Sequence, residues 1–279
     1  IWIGYGGKGL VKWKDGKVIN YYTSEDGLAS DRVNAIAQNK DGDMLIGTAS
    51  GLSIFDGQKF TNYDFRSGLG NGFITDIKVI GNNVWIGCGR RAKTGGPQAI
   101  GGGLSIFNGK TFKSFDLNSF KNINLDISTI TVIEEDSKGN IWIGTNYGLL
   151  KYDGSKFHLI SNGLPSNRIS DILIDDNGLW LCTSNGLANI IDGGVRVVIP
   201  IGIESLTYEG LQSISRSNDG IYFIGAANGV YLYDPNSFRT ITSFEGMPVP
   251  NNWTQGVLDI ALDKDGFLWA ATGSNGVYK

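Results

Sequence analysis

The sequence predicts an all-β fold, and three observations carry that expectation. Seven times along the chain a short apolar run ending in a small residue is followed by Gly and a second apolar strand. The clearest copy reads Ile141-Trp142-Ile143-Gly144-Thr145-Asn146-Tyr147-Gly148-Leu149-Leu150-Lys151-Tyr152-Asp153-Gly154. The anchors of the seven copies are Trp2, Leu45, Trp85, Trp142, Trp180, Phe223 and Trp269, at successive spacings of 43, 40, 57, 38, 43 and 46 residues. Finally, 41 Gly, 11% aromatic and only 18% charged residues suit many short strands joined by tight turns, and Ala-rich or Leu-rich helical stretches are missing. A period near forty built from strands and turns is that of a β-propeller of four-stranded antiparallel blades. Each copy holds too little apolar surface to be stable alone, so neighbouring copies must bury one another's faces.

The fourth copy serves as the template for the strands, called A to D from the inside outward. Thr129 to Val132 forms strand A, Asp136 to Asn140 a turn, and Ile141 to Thr145 strand B. Strand C runs from Gly148 to Tyr152, the next turn covers Asp153-Gly154-Ser155, and strand D runs from Lys156 to Ile160. The turns follow from backbone conformation, because Asp-Gly, Asn-Gly and Lys-Gly pairs supply the positive φ of tight hairpin connections. They recur between A and B at Asp41-Gly42, Asp219-Gly220 and Asp265-Gly266. Between C and D they recur at Asp15-Gly16, Asp56-Gly57, Asn108-Gly109 and Asp192-Gly193. Strand B is apolar at successive positions, which requires cover on both of its faces. Radially packed blades provide that cover, with aromatic residues filling the wedge between them.

Six A strands (near Asn34, Thr75, Thr129, Ile169, Leu211 and Val257), seven B, seven C and six D are expected; the first copy lacks A and the last lacks D. Seven blades are the simplest reading, and a six-bladed ring with spare terminal strands stays open. Residues 1–279 read as one domain. Residue 1 already lies inside a repeat, so the chain reads as part of a longer one.

A net charge of −3 supplies no basic field for nucleic acid or anionic lipid, so neither is an expected partner. No apolar run reaches the roughly eighteen residues of a membrane span, and no signal peptide is visible. The two cysteines, Cys88 and Cys182, lie two blades apart in the repeat register. A disulfide needs Cα atoms within about 7 Å, so both are expected to pack as small buried residues.

The repeat resembles a known family. An inner strand, a polar Gly turn, (Ile/Leu)-Trp-Ile-Gly-Thr, two variable residues, Gly-Leu, an apolar-aromatic pair, Asp-Gly, a Phe-containing strand and Gly-Leu-x-Ser/Asn together look like the two-component regulator propeller repeat. Asn34 to Tyr63 and Thr129 to Asn167 match well. The resemblance implies a periplasmic, ligand-binding sensor region recognising a small molecule, in particular an oligosaccharide. It also implies a membrane-anchored signalling region in the full-length chain, and it leaves room for a homodimer. Three departures stand out: Cys182 replaces the expected Gly, and Leu45 and Phe223 replace the expected Trp.

In a propeller the B–C and D–A connections emerge on one face, and the candidate site residues lie there. The third copy carries a long insertion from Cys88 to Gly102 between strands B and C, in which Arg90, Arg91 and Lys93 suit carboxylate or sulfate recognition. The competing reading is a solvated loop. The D–A connections contain Arg32, Phe73, Asn167, Arg168, Tyr208, Glu209, Asn251, Asn252 and Trp253. Aromatic stacking on sugar rings with Asn and Arg bonding hydroxyls would make a saccharide site. Trp253 is the strongest single candidate, since it lies outside the B-strand register that explains the other tryptophans.

Asp41, Asp43, Asp263 and Asp265 resemble fragments of calcium loops but lack the EF-hand spacing, and turns account for them. The glycine clusters Gly4-Tyr5-Gly6-Gly7 and Gly101-Gly102-Gly103 open no helix and carry no P-loop Lys-Ser. No metal and no cofactor are expected. His158, the single histidine, falls in a D strand at the outer edge, and no Gly-x-Ser-x-Gly elbow occurs. A non-catalytic sensor is therefore the leading reading. A protein-interaction scaffold is the alternative, and a propeller lyase or hydrolase comes behind both.

Overall fold

The computed structural model describes residues 1–89, 103–115, 117, 129–198, 210–227, 229–235, 256–273 and 276–279. The chain is a β-propeller of seven antiparallel blades. It divides into two compact units, Ile1–Asn146 and Tyr147–Lys279. In unit one the first sheet runs β1 (Trp2–Tyr5), β2 (Gly9–Lys14), β3 (Lys17–Tyr22). The second runs β4 (Val33–Gln38), β5 (Met44–Thr48), β6 (Gly51–Phe55), β7 (Phe60–Tyr63), and the third β8 (Ile74–Ile80), β9 (Asn83–Cys88), β10 (Leu104–Phe107), β11 (Phe112–Phe115). The hairpin β12 (Ile130–Glu135) with β13 (Ile141–Thr145) completes this unit.

Unit two opens with the hairpin β14 (Gly148–Tyr152), β15 (Phe157–Ile160). A four-stranded sheet follows: β16 (Ile169–Asp175), β17 (Gly178–Thr183), β18 (Gly186–Ile191), β19 (Gly194–Val198). Two three-stranded sheets come next: β20 (Leu211–Arg216), β21 (Tyr222–Ala226), β22 (Gly229–Tyr233), then β23 (Val257–Leu262), β24 (Leu268–Thr272), β25 (Val277–Tyr278). Among the described residues helix is limited to 3₁₀ turns such as Ser24–Asp26 and Phe65–Ser67.

The expected six A, seven B and seven C strands are all present, with no A strand in the first sheet and no D strand in the last. Five D strands are described, and the sixth falls outside the described residues. Three boundaries of the template copy differ from expectation: its inner strand runs on to Glu135 rather than ending at Val132, and two strand starts shift by one residue. The inner strand of the fourth copy starts at Ile130, because the Thr129 N–H donates to Asn146 Oδ1 at 3.1 Å. The following D strand starts at Phe157, because the Lys156 N–H closes the turn on Asp153 Oδ1 at 3.0 Å.

Strand B of the second to sixth copies is largely buried, as its unbroken apolar pattern requires; all five residues of β5 are buried, whereas the B strands of the first and last copies are only partly covered. Its glycine is a notch for the next blade. A Cβ on Gly47 would lie 2.5 Å from Ile74 Cγ2, on Gly87 2.6 Å from Ile130 Cγ2, and on Gly225 2.9 Å from Val257 Cγ1. In each case the intruder is the β-branched first residue of the following inner strand. Cys182, the departure noted in the fifth copy, faces Leu211 in the same buried cluster. Leu lacks a branch at Cβ, so its stem leaves room for the thiol where Ile or Val would collide. Cys88 and Cys182 are both free and buried, as expected. Aromatic rings fill the outer wedge, with Trp180 4.6 Å from Tyr222 and Tyr63 5.1 Å from Phe107, centroid to centroid.

Every inner strand is interrupted at its second residue by a β-bulge, at Asn34, Thr75, Thr131, Ser170, Gln212 and Leu258. A bulge leaves one residue out of the ladder and re-aims its side chain. Polar bulge residues use that freedom to tie successive blades together: Asn34 Nδ2 donates to Ile74 O at 2.8 Å and Thr75 Oγ1 to Ile130 O at 2.6 Å. Ser170 Oγ donates likewise to Leu211 O.

Candidate functional site

The residue immediately before five of the six inner strands is fixed by a repeated backbone bond. Ala49 N–H donates to Arg32 O at 3.0 Å, Gly89 N–H to Phe73 O at 2.9 Å and Asn146 N–H to Thr129 O at 3.2 Å in unit one. In unit two Ser184 N–H donates to Arg168 O at 3.2 Å and Gly273 N–H to Gly256 O at 3.1 Å. Each bond joins a D–A connection to the B–C connection of the blade it enters, which confirms within each unit that the two kinds of loop share one end. The bonded residues form a rim at the mouth of the inner strands.

In unit one the rim carries two chemically useful side chains side by side. The Arg32 guanidinium lies 5.2 Å from the centre of the Phe73 ring. Arg32 is exposed and Phe73 half-buried. A guanidinium offers five N–H donors in a planar fork, and an aromatic face restrains it without using those donors. Two residues before Phe73, Asn71 is 7% exposed; its Oδ1 accepts the Phe73 N–H at 2.9 Å, while its Nδ2 has no hydrogen-bond partner. In unit two, Arg168 is exposed and its N–H donates to Ser166 Oγ at 3.2 Å. The rim residues that follow it are glycines for steric reasons. A Cβ on Gly210 would lie 2.3 Å from the Ser184 Cα, and one on Gly256 2.6 Å from the Ala227 Cα.

At the other end of the blades several turn side chains are occupied by hydrogen bonds of their own turns. Asp136 accepts four donors: Lys138 N–H and Asn140 N–H at 2.9 Å on Oδ1, and Asn140 Nδ2 at 2.8 Å and Trp142 Nε1 at 2.9 Å on Oδ2. These hydrogen bonds hold its carboxyl below the usual carboxylate range against an opposing effect of burial. Asp263 does the same work with Asp265 N–H, Phe267 N–H and Trp269 Nε1. Asn39 Oδ1 accepts from Asp41 N–H at 3.0 Å and Asp43 N–H at 2.8 Å. The acidic pairs that resemble calcium-loop fragments are thus built into turns, as the sequence pattern indicated. In the C–D turns Asp56, Asn108 and Asp153 each accept two following backbone N–H groups. His158 pairs with Asp153 at 3.0 Å on the exposed outer strand β15.

Of the residues singled out from sequence, Arg32, Phe73, Asn167 and Arg168 are described. Arg90, Arg91, Lys93, Tyr208, Glu209, Asn251, Asn252 and Trp253 lie outside the described residues. The ends of the third-copy insertion are fixed, with Cys88 N–H donating to Gly103 O at 3.0 Å. Sequence reading named Arg32, Phe73 and Arg168 separately and missed that they occupy one register position, shared by Thr129. The signal was available, since each immediately precedes an apolar inner-strand residue: Val33, Ile74, Ile130 or Ile169.

Fold and rim define a propeller with closed turns at one end of its blades and long polar and aromatic connections at the other. The two component regulator propeller model matches residues 124–147 and 163–185, so in those two copies the repeat seen in the sequence is the repeat of that family. No curated protein matches the chain. Among solved structures, the extracellular domain of BT3049 from B. thetaiotaomicron, described as a hybrid two component system, has a TM-score of 0.73 at 22% identity over 92% of this chain and 34% of its own. The extracellular domain of BT4673 from the same organism, described as a one component system, has a TM-score of 0.74 at 18% identity over 99% of this chain and 36% of its own. The chain therefore spans about a third of these structures. Virginiamycin B lyase from Staphylococcus aureus has a TM-score of 0.66 at 17% identity, covering 88% of this chain and 79% of its own. These likenesses concern the fold. No helix among the described residues is long and apolar enough to cross a membrane.

Proposed function

We propose that this chain is a non-catalytic, extracytoplasmic sensor propeller that binds a small ligand, an oligosaccharide, at the end formed by its B–C and D–A connections, and passes the event to a membrane-anchored signalling region. The observation that carries the proposal is the chemical difference between the two ends of the blades. At the A–B and C–D end Asp136, Asp153 and Asp263 are occupied by hydrogen bonds within their own turns and strands, whereas the opposite end presents the Arg32–Phe73 pair. The extracellular sensor regions whose fold it shares, and the repeat it carries, support the signalling half of the reading.

A ring face and a guanidinium are the two groups a sugar site uses, one for the apolar face of the pyranose and one for its hydroxyl or carboxylate oxygens. Arg90, Arg91, Lys93, Arg168, Tyr208, Asn252 and Trp253 are proposed as further ligand contacts on the same grounds of residue type and loop position. His158 is occupied with Asp153 on an outer strand, so His158→Ala should leave any activity unchanged. Calorimetric titration of the purified domain against a broad panel of neutral and anionic oligosaccharides tests the proposal. Saturable heat with at least one supports it, and silence across the panel favours the protein-interaction scaffold.

A further inference from the structure

The first sheet, β1–β3, has the strands of a blade but only part of a blade's cover. The residue after the anchor is 0% exposed in five other B strands, at Ile46, Ile86, Ile143, Leu181 and Ile224. Ile3, at the same place in β1, is only half-buried, and Gly4 is exposed where Gly47, Gly87, Gly144 and Gly225 are buried. Among the described residues no strand pairs with the inner edge of β1. Ile1 N donates to Trp13 O at 2.9 Å and Trp13 N–H to Ile1 O at 2.8 Å. Bonding sides alternate along an antiparallel ladder, so Ile1 and Ile3 bond toward β2 while the N–H and C=O groups of Trp2 and Gly4 point to the open edge.

Two further differences fall on the same sheet. In later copies the Gly-Leu turn of the preceding D–A connection rests on strands C and D. The Gly27 backbone packs on Phe60, Gly68 on Phe112 and Gly163 on Val195. Leu28 shares a buried cluster with Phe55, and Leu69 with Phe107. Ala29 N–H donates to Ser53 Oγ at 2.9 Å and Asn62 Nδ2 to Gly27 O at 2.8 Å. By register Val18 and Tyr21 are the counterparts of Phe60 and Asn62, and they are 61% and 50% exposed. The indole N–H groups of Trp142, Trp180 and Trp269 each donate to an aspartate of the A–B connection, whereas that of Trp2 has no acceptor among the described residues.

We propose that the inner edge of β1 and the apolar face of β2 and β3 form one docking surface, and that its occupant is a segment of the full-length chain outside residues 1–279 with the chemistry of the repeat's own D–A connection and inner strand. Its Gly-Leu turn covers Trp13 and Val18, its extended run pairs antiparallel with β1 through the free groups of Trp2 and Gly4, and its aspartate takes the Trp2 indole N–H. Main-chain bonds to an open edge supply the affinity of such an added strand, and the side-chain contacts supply its specificity. Charge selects this occupant over a second copy of the sheet. The first sheet carries exposed Lys8, Lys12, Lys14 and Lys17 against Asp15, so two copies edge to edge would repel. The repeat's own segments are acidic: residues 163–176 hold Asp171, Asp175 and Asp176 against Arg168.

The test supplies the segment in two ways. A copy of residues 163–178 is joined ahead of Ile1, with the same residues in scrambled order as the control, and a free peptide of residues 163–176 is added to the unextended chain. Hydrogen exchange read by NMR should show the Trp2 and Gly4 amides slowed about tenfold or more by the copied segment and not by the scrambled one. The free peptide should slow the same two amides saturably. The melting temperature of the copied-segment chain should exceed that of the control. Replacing the copied segment's counterpart of Asp175 by Ala should remove part of that gain and return the Trp2 indole N–H resonance to its control position. Equal Trp2 and Gly4 exchange with copied and scrambled segments in both arms would overturn the proposal. So would a dimer of the unextended chain in which these amides are already protected, since a second copy would then be the occupant.

Discussion

Gly47 and Cys182 hold the same place in their blades, and the side chain each one meets accounts for the difference. The glycine is needed where a β-branched residue of the next inner strand presses into strand B, as Ile74 does on Gly47 with 2.5 Å available to a Cβ. Cys182 is tolerated because Leu211 takes the opposing place. Gly47→Ala should therefore cost about 1–3 kcal/mol by overpacking. In an Ile74→Leu background the same substitution should cost less, because Leu moves its branch one carbon outward. A double-mutant cycle read by denaturant melts measures the coupling, and additive costs would show that the notch is set by backbone approach instead. The glycine itself was legible from the sequence. The compensation was not, because Cys182 and Leu211 are far apart in sequence and the blade-to-blade register that joins them is a tertiary fact. For the same reason Arg32 and Phe73 read as two separate loop residues rather than a stacked pair.

At the scale of the element, the A–B turn and strand B form one device. Asp136 gathers the backbone of its own turn and then the indole of Trp142 in the strand that follows. An Asp, a Gly turn and a Trp at fixed spacing could be read from the sequence as repeat punctuation. The hydrogen bond from indole to carboxylate explains why the Trp is favoured over other large residues at that place. Its absence at Leu45 is consistent, since the turn before Leu45 is organised by Asn39, whose Oδ1 takes backbone donors and whose Nδ2 bonds Asp43. Trp142→Ala should lower stability by about 3–5 kcal/mol, through the volume lost between neighbouring strands. Asp136→Ala, which orphans the turn but removes no large apolar volume, should cost about 1–3 kcal/mol. Chemical denaturation of the two variants checks the order, and equal costs would mean that the carboxylate rather than the ring sets the stability of this element. The strands were legible in place and order, since apolar runs and Gly turns act locally, although the inner strand of the fourth copy runs three residues past its expected end, to Glu135. The six-fold bulge in the inner strands was not, because it is seen only against the partner strand.

At the scale of the molecule, seven copies of one four-strand unit make the fold, and the departures from the repeat concentrate the chemistry. Regular turns at one end of the blades hold side chains such as Asn39, Asp136 and Asp263 in hydrogen bonds of their own. The other end varies in length and residue type from copy to copy, as a surface adapted to a ligand does. Periodicity made the architecture legible in the sequence, whereas the site was legible only as a face, because a rim assembled from residues about forty positions apart has no local motif. Whether this rim binds a saccharide is decided by titration calorimetry of Arg32→Ala beside the wild type. Arg32 is exposed, so its removal should change stability by less than about 0.5 kcal/mol. Loss of a charge-assisted hydrogen bond to the ligand should weaken binding by about 1.5–3 kcal/mol. For an oligosaccharide that the wild type binds, Arg32→Ala should raise the Kd at least tenfold with the melting temperature retained; an unchanged Kd in the folded variant would rule out a saccharide site at this rim.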